Sequence, residues 1–153
     1  MVQAEFDAYR AWAGDEYAEE LLRNTGIDAE EARGYADRSF TEAIPHGLTT
    51  PGHRFLTAAD ADTGEHVGML WIARQQRGAT DLIWIFDIWV EEPMRGRGYG
   101  RLLMELAEEQ AAGLGVDRIE LNVYGDNARA RHLYESLGYK EMSRQMVKVM
   151  RED

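Results

Sequence analysis

Val90 to Gln110, "VEEPMRGRGYGRLLMELAEEQ", places three arginines and three glycines between Arg95 and Arg101, at the point where a helical pattern begins. An apolar run ends at Val90, an acidic turn follows, and Leu102, Leu103, Leu106 and Ala107 then recur at helical spacing. The first turn of a helix exposes unpaired backbone N–H groups and a partial positive charge. Gly96, Gly98 and Gly100 leave that backbone bare, so a large anion can approach it, and Arg95 and Arg97 can add charge-assisted bonds. A cradle for phosphate oxygens therefore reads better here than a plain glycine turn with solvated arginines. The nucleoside-triphosphate loop is excluded, because it needs a Gly-Lys-[Ser/Thr] ending and no lysine lies nearby. The dinucleotide fingerprint begins with Gly96 and Gly98, and Glu120 lies near the place of its ribose-binding acid. Its third glycine is Arg101, however, and the unit follows antiparallel strands, so this reading ranks lower.

The 153 residues suit one domain spanning 1–153. No cysteine is present, which removes disulfides and thiolate metal sites and leaves a cytoplasmic setting as the natural expectation. The opening "MVQAEFDAYRAW" lacks the layout of a signal peptide. The longest apolar run, Leu82–Val90, is interrupted by Asp87 and is too short to span a bilayer. The formal net charge of −11, from 17 Lys+Arg against 28 Asp+Glu, disfavours nucleic acid and anionic membrane as partners. It mildly favours a cationic substrate, although solubility alone explains it as well. On this background the arginines of the loop are a local exception, suited to an anionic ligand of limited size.

Phe6, Tyr9, Ala13, Tyr17 and Leu21 mark a first helix that stops near Gly26. Asp28 and Glu31 form a capping-box pattern for a second, striped by Ala32, Tyr35, Ala36 and Phe40. The loop Pro45–His53 reads as an ordered connector, with the lining of an acceptor pocket as the alternative. Strands are expected at His53–Ala59, His66–Arg74, Leu82–Val90 and Arg118–Tyr124. Leu82–Val90 is apolar on both faces, as in a covered central strand. Helices are expected at Tyr99–Ala112 and from a cap at Asn127 to Leu137, with Gly138 closing the second. The final "YKEMSRQMVKVM" reads as one or two more strands. The order gives a mixed α/β domain. His46, His53, His66 and His132 lack companions at ligand spacing, so no metal site is expected.

Arg95-Gly96-Arg97-Gly98-Tyr99-Gly100 resembles the Arg/Gln-x-x-Gly-x-Gly/Ala loop of the GNAT N-acetyltransferases. Asn127, Ala130, Leu133, Tyr134, Gly138 and Tyr139 resemble that family's Asn-x-x-Ala-x-x-Leu-Tyr-x-x-x-Gly-Phe segment, with Tyr139 in place of Phe. The likeness covers Leu82 to Tyr139, and the N-terminal half, including "PHGLTTPGH", resembles a little-characterised bacterial branch of the family. Such chains usually open with a strand; here the first helix begins almost at once.

The resemblance implies a mainly antiparallel central sheet, helices on both faces, and two parallel strands, Leu82–Val90 and Arg118–Tyr124, that splay apart. It implies acetyl-CoA as cosubstrate. The pantetheine arm would lie on the backbone of Ile88, Trp89 and Val90, and the pyrophosphate on the amides from Arg97 to Arg101. Asn127 would contact the cofactor, a role compatible with capping a helix, and Ala130 belongs to the same segment. Tyr134 would be the general acid that protonates the leaving thiolate; the alternative is a core tyrosine beside Leu133 and Leu137.

An attacking primary amine with a pKa of about 10.4 needs a base. Asp87 is the first candidate, with a structural ion pair to an arginine as the equal alternative. Glu120 is the second, although a solvent-facing strand residue is the preferred reading for it. A backbone N–H near Trp89 or Val90 would hold the oxyanion. The acceptor would be a small-molecule or peptide amine, and the partner a second copy joined through the C-terminal strands. A non-catalytic acyl-CoA-binding module and a dinucleotide-dependent oxidoreductase are the other classes.

Overall fold

The computed structural model describes residues 1–150. Two helices come first, α1 (Gln3–Thr25) and α2 (Ala29–Ala43). α1 ends at Gly26 with φ 71°, a left-handed closure that favours glycine. Asp28 caps α2, accepting the Glu31 N–H at 2.9 Å, while the Glu31 carboxylate accepts from the Asp28 N–H. The two helices meet through Ala18, Ala32 and Ala36, small side chains that let the backbones approach, with Leu21 filling the seam beside them.

The sheet is built from β1 (His53–Ala59), β2 (His66–Arg77), β3 (Thr80–Val90) and β4 (Ile119–Leu121), in that spatial order. β1–β2 and β2–β3 are antiparallel, and β3–β4 is parallel. α3 (Tyr99–Gly113) and α4 (Ala128–Ser136) complete the chain's regular elements among the described residues. No strand precedes α1.

Two cores cover the two faces. On one, Leu70, Ile72, Ile83 and Ile85 pack against Leu103, Met104, Ala107 and Ala111 of α3, with Leu133, Tyr134 and Leu137 at the edge. On the other, Met69 and Trp71 pack with Phe55 against Phe6, Tyr9 and Ala13 of α1 and Phe40 of α2. β2 is buried from Val67 to Ala73, as a central strand covered on both sides requires.

One irregularity in β3 decides where the side chains go. Trp71 pairs with Asp87 while the next residue, Ile72, pairs with Ile85, so Phe86 is an extra residue, a β-bulge. Side chains alternate along a strand, and an inserted residue reverses the alternation beyond it. Before the bulge Ile83 and Ile85 face α3; after it Ile88 and Val90 do. Phe86 and Trp89 join the α1–α2 core instead. The bulge thereby turns Asp87 toward α1; an unbroken alternation would have aimed it into the α3 core.

The bulge also ends the parallel pairing. The last matched pair of β3 and β4 is Ile85 with Leu121, so the strands part at Phe86 and Asn122. β4 is accordingly shorter than the expected Arg118–Tyr124. The expected C-terminal strands are absent from Tyr139 to Met150. Met142, Met146, Val147, Val149 and Met150 are all exposed, and their spacing gives no single apolar face for a sheet to bury.

Candidate active site

The parting strands open a cleft of ≈ 560 Å³. Its floor is β3 from Trp84 to Trp89; one side is Leu121 to Tyr124 with Asn127 and Tyr134, and the other is α1 from Tyr9 to Arg23. Asp87 and Tyr134, the two expected catalytic residues, therefore line the same space.

Among the described residues Asp87 has no arginine partner. Its Oδ2 accepts a hydrogen bond from the hydroxyl of Tyr9 at 2.8 Å. This corrects the alternative of an arginine ion pair, and α1 supplies the reason, since the side chain it brings to Asp87 is a phenol. Burial pushes the Asp87 carboxyl above its ordinary value, while the Tyr9 hydroxyl and the Ile88 N–H pull it back down. Tyr9 is itself driven far upward, first by burial and then by the Asp87 charge, so it remains a donor. Tyr9 went unread in the sequence because it sits on the apolar stripe of α1. A hydroxyl on such a stripe was the available signal, since a buried phenol O–H needs an acceptor.

Burial raises the Tyr134 phenol, and the charges of Asp87 and Glu20 raise it further. It stays protonated at neutral pH, as a proton donor must. Its ring lies 6.1 Å from that of Tyr139. Asn127 caps α4, its Oδ1 accepting the Ala130 N–H at 3.1 Å, and it also lines the cleft.

Glu120 is not solvent-facing. It is 8% exposed and bound by Arg77 at 2.8 Å and Arg118 at 2.7 Å. Arg118 and then Arg77 hold its carboxyl below the ordinary range, which makes it a poor base. Trp84 pairs with it across the strands, and the two arginine side chains cover its carboxylate.

The glycine loop opens with a 3₁₀ turn at Glu92–Met94. Gly96 and Gly98 have φ 77° and 86°, and a Cβ on either would meet nothing within 4 Å. Both are required by the backbone, and the space over them is open. Gly100 differs: a Cβ there would lie 3.3 Å from Leu133, so it allows α3 to approach α4. Gly98 is the N-cap of α3 and supplies no side-chain cap, leaving the amides of Tyr99, Gly100 and Arg101 for an external acceptor.

The side chains around this loop are mostly engaged. The Arg95 Nε donates to Val90 O at 2.9 Å, and its guanidinium stacks 4.7 Å above Trp89. Arg97 lies 3.8 Å from the Met94 sulfur. Arg101 ties α3 to α4 through Ser136 at 2.7 Å. Tyr99 donates to Asp60 of the β1–β2 loop at 2.6 Å. The backbone, more than the arginine heads, faces the open side.

Gly68 explains how β2 holds the end of β3. A Cβ at that position would stand 2.0 Å from the carbonyl oxygen of Trp89, so only glycine permits the pairing. Ile88, Trp89 and Val90 run on past the last β4 pair, which leaves their edge on the cleft side without a strand partner.

The Pro45–His53 loop contributes no residue to the cleft. It is the expected connector, closed by a 3₁₀ turn and by Thr50, whose hydroxyl donates to Gly47 O at 2.8 Å. His53 accepts the indole N–H of Trp71 at 3.0 Å within the aromatic core. No cluster of metal-ligating side chains occurs among the described residues, and none of their helices is long and apolar enough to cross a membrane.

The model of the acetyltransferase (GNAT) family matches residues 8–139. The chain belongs to this family. The N-acetyltransferase YycN of Bacillus subtilis, itself uncharacterised, is 31% identical over 141 residues, covering 92% of this chain and 90% of that one. The crystal structure of YycN superposes with a TM-score of 0.92 at 30% identity, over 99% of this chain and 96% of its own. A mycothiol acetyltransferase of Gordonia bronchialis is 30% identical over 85% of this chain, which spans 42% of that longer protein. The mixed sheet with one parallel pair and the helices on its two faces are those of the GNAT fold.

Proposed function

We infer that this GNAT protein moves an acetyl group from acetyl-CoA to a primary amine by direct attack in a ternary complex. The observation that carries the reading is the cleft at the bulge, where a carboxylate of raised pKa and a buried phenol line one space between two diverging strands.

The chain's own groups fit the cosubstrate. The uncapped amides of α3 and the open space over Gly96 and Gly98 suit a pyrophosphate. The unpaired edge of Ile88–Val90 suits the amide-rich pantetheine arm. Arg95, bound to Val90 and stacked on Trp89, closes the end of that edge.

Asp87 takes the proton from the incoming ammonium, directly or through water, and the nitrogen then attacks the thioester carbonyl carbon. A backbone N–H near Trp89 or Val90 holds the oxygen as it becomes negative; one such donor is typically worth roughly 2.7–4 kcal/mol. The new C–N bond stays, the C–S bond breaks, Tyr134 gives its proton to the departing sulfur, and the second proton that the nitrogen sheds on becoming an amide passes through water to the Tyr134 phenolate. Attack in a ternary complex leaves no covalent enzyme intermediate, in keeping with a chain that has no cysteine. A homodimer and a cytoplasmic setting complete the proposal.

The test is a thermal-shift titration with acetyl-CoA and CoA beside NADH and ATP, followed by a free-thiol assay on an amine panel. Ligand at 100 times its dissociation constant should add about 2.7 kcal/mol to the native state. Stabilisation by acetyl-CoA and CoA alone is expected. A response only to NADH would overturn the reading. Tyr134→Phe should keep the acetyl-CoA response and lose turnover; a variant with unchanged turnover would remove Tyr134 as the acid.

A further inference from the structure

The cleft continues beyond Asp87 along α1. Helical spacing of four residues keeps Trp12, Glu16 and Glu20 on one face, one turn apart, and all three line the cavity. Trp12 packs on Trp89 at 4.8 Å between ring centroids, so this face begins beside the cofactor strand. Tyr9 fixes its inner end by its bond to Asp87. Glu20 lies eleven residues further on, roughly 16 Å along the axis at about 1.5 Å per residue.

Glu20 is half-buried, yet its carboxylate has no hydrogen-bond or ion-pair partner among the described residues. The nearby Arg23 pairs instead with Glu19 at 3.9 Å. Burial raises the Glu20 carboxyl and Asp87 raises it further, while the charge of Arg23, which also lines the cavity, lowers it in part. Glu20 also acts through its charge on Tyr124, across the cleft. A partly desolvated carboxylate without a partner costs stability unless something cationic meets it. The aromatic walls near it, Tyr17 and Tyr124, favour an ammonium over an anion. The far end of the cleft is thus a second cation site, in line with the base but well removed from it.

Resting on the acetyl-transfer reading, we propose that the acceptor is a linear diamine or polyamine. One amino group is deprotonated at Asp87 and acetylated. A second ammonium, carried on an apolar linker past Trp12 and Trp89, pairs with Glu20, with Glu16 adding negative charge between them. The product is a mono-N-acetylated amine and free CoA.

The test compares 1,4-diaminobutane, 1,5-diaminopentane and spermidine with butylamine and 4-aminobutyrate, at saturating acetyl-CoA. Spermidine should exceed butylamine at least tenfold in kcat/KM, with the shorter 1,4-diaminobutane and 1,5-diaminopentane gaining less, because the advantage should grow with chain length until the linker bridges Asp87 and Glu20. Glu20→Gln should collapse that advantage to about twofold or less, mainly through KM, while acetyl-CoA still stabilises the variant. Glu20→Lys should reverse the preference toward 4-aminobutyrate. Equal turnover of butylamine and spermidine, or 4-aminobutyrate as the best acceptor of the unaltered protein through Arg23, would overturn the polyamine assignment alone. No turnover of any amine with acetyl-CoA would overturn the acetyl-transfer reading and the assignment with it.

Discussion

The two long sides of the cleft are made in opposite ways. The proposed cofactor side, from Phe86 to Arg101, is one unbroken stretch of chain in which strand, turn and helix N-terminus follow directly. The proposed acceptor side is α1, whose Tyr9 meets Asp87 across 78 residues of sequence. The first depends on local backbone geometry, namely a bulge, two left-handed glycines and an uncapped helix. The second depends on a helix holding its register against a sheet through Phe6, Tyr9 and Ala13. A family can therefore keep one side fixed and vary the other, because substitutions along α1 leave the phosphate turn untouched.

Asp87 belongs to both sides, and its loss should have the largest effect. Asp87→Asn is expected to lower kcat/KM by about 10²–10⁴, the usual worth of a positioned base, with acetyl-CoA affinity little changed. Steady-state kinetics with both substrates varied would check this; an intact kcat would place the base elsewhere. Gly68→Ala attacks the cofactor side alone. The added methyl must displace the Trp89 carbonyl, at a cost of about 1–3 kcal/mol as for other overpacked sites. Denaturant unfolding should show the loss, and acetyl-CoA should bind more weakly because Trp89 and Val90 have moved.

Tyr9→Phe attacks the acceptor side alone and should act through pH. The Tyr9 bond pulls the Asp87 carboxyl down against burial, so removing it raises that pKa further. Activity needs the ionised carboxylate; the acid limb of the rate profile should therefore move to higher pH, with the plateau changed by less than tenfold. An unmoved acid limb would separate Asp87 from the rate-controlling ionisation. The smallest effect is expected at Asp60, where the Tyr99 hydroxyl, then the N–H groups of Thr63 and Asp62, lower the carboxyl to about 2. A depressed carboxyl contributes stability above its unfolded value of 3.8, and that contribution fades as pH falls toward about 2. The melting-temperature gap between the unaltered protein and Asp60→Asn should accordingly be small at neutral pH and close on acidification.

The contiguous side was the legible one. A run of alternating glycine and arginine before a helical stripe announces its own geometry, and Asn127 announces a cap by its position. Gly68 offered a readable signal too, as a lone glycine inside an apolar strand. Phe86 offered none. Nothing in "LIWIFDIWV" marks which residue is extra, because the bulge is fixed by which side chains find α1 and which find α3. Glu16 and Glu20 carry no signal of their own in the sequence, because the opposite wall of their cleft is supplied only by folding. Glu120 was misread for a related reason: its two arginines come from β2 and from its own strand, and only pairing brings them together. The expected C-terminal strands relied on composition alone, and composition does not supply a sheet with a free edge to pair with.

β4 contributes three residues to the sheet, and α4 buries none of its side chains fully. The β2–β3–α3 block, by contrast, holds Leu70, Ile72, Ile83 and Met104 at 1% exposure or less. Opening energy is unevenly spread in such a molecule. The unit that carries Asn127 and Tyr134 is expected to open before the rest, so its amides should exchange hydrogen with solvent well before those of β2. A ligand spanning the cleft would fasten this unit to the block, and slowed exchange in α4 would record its arrival.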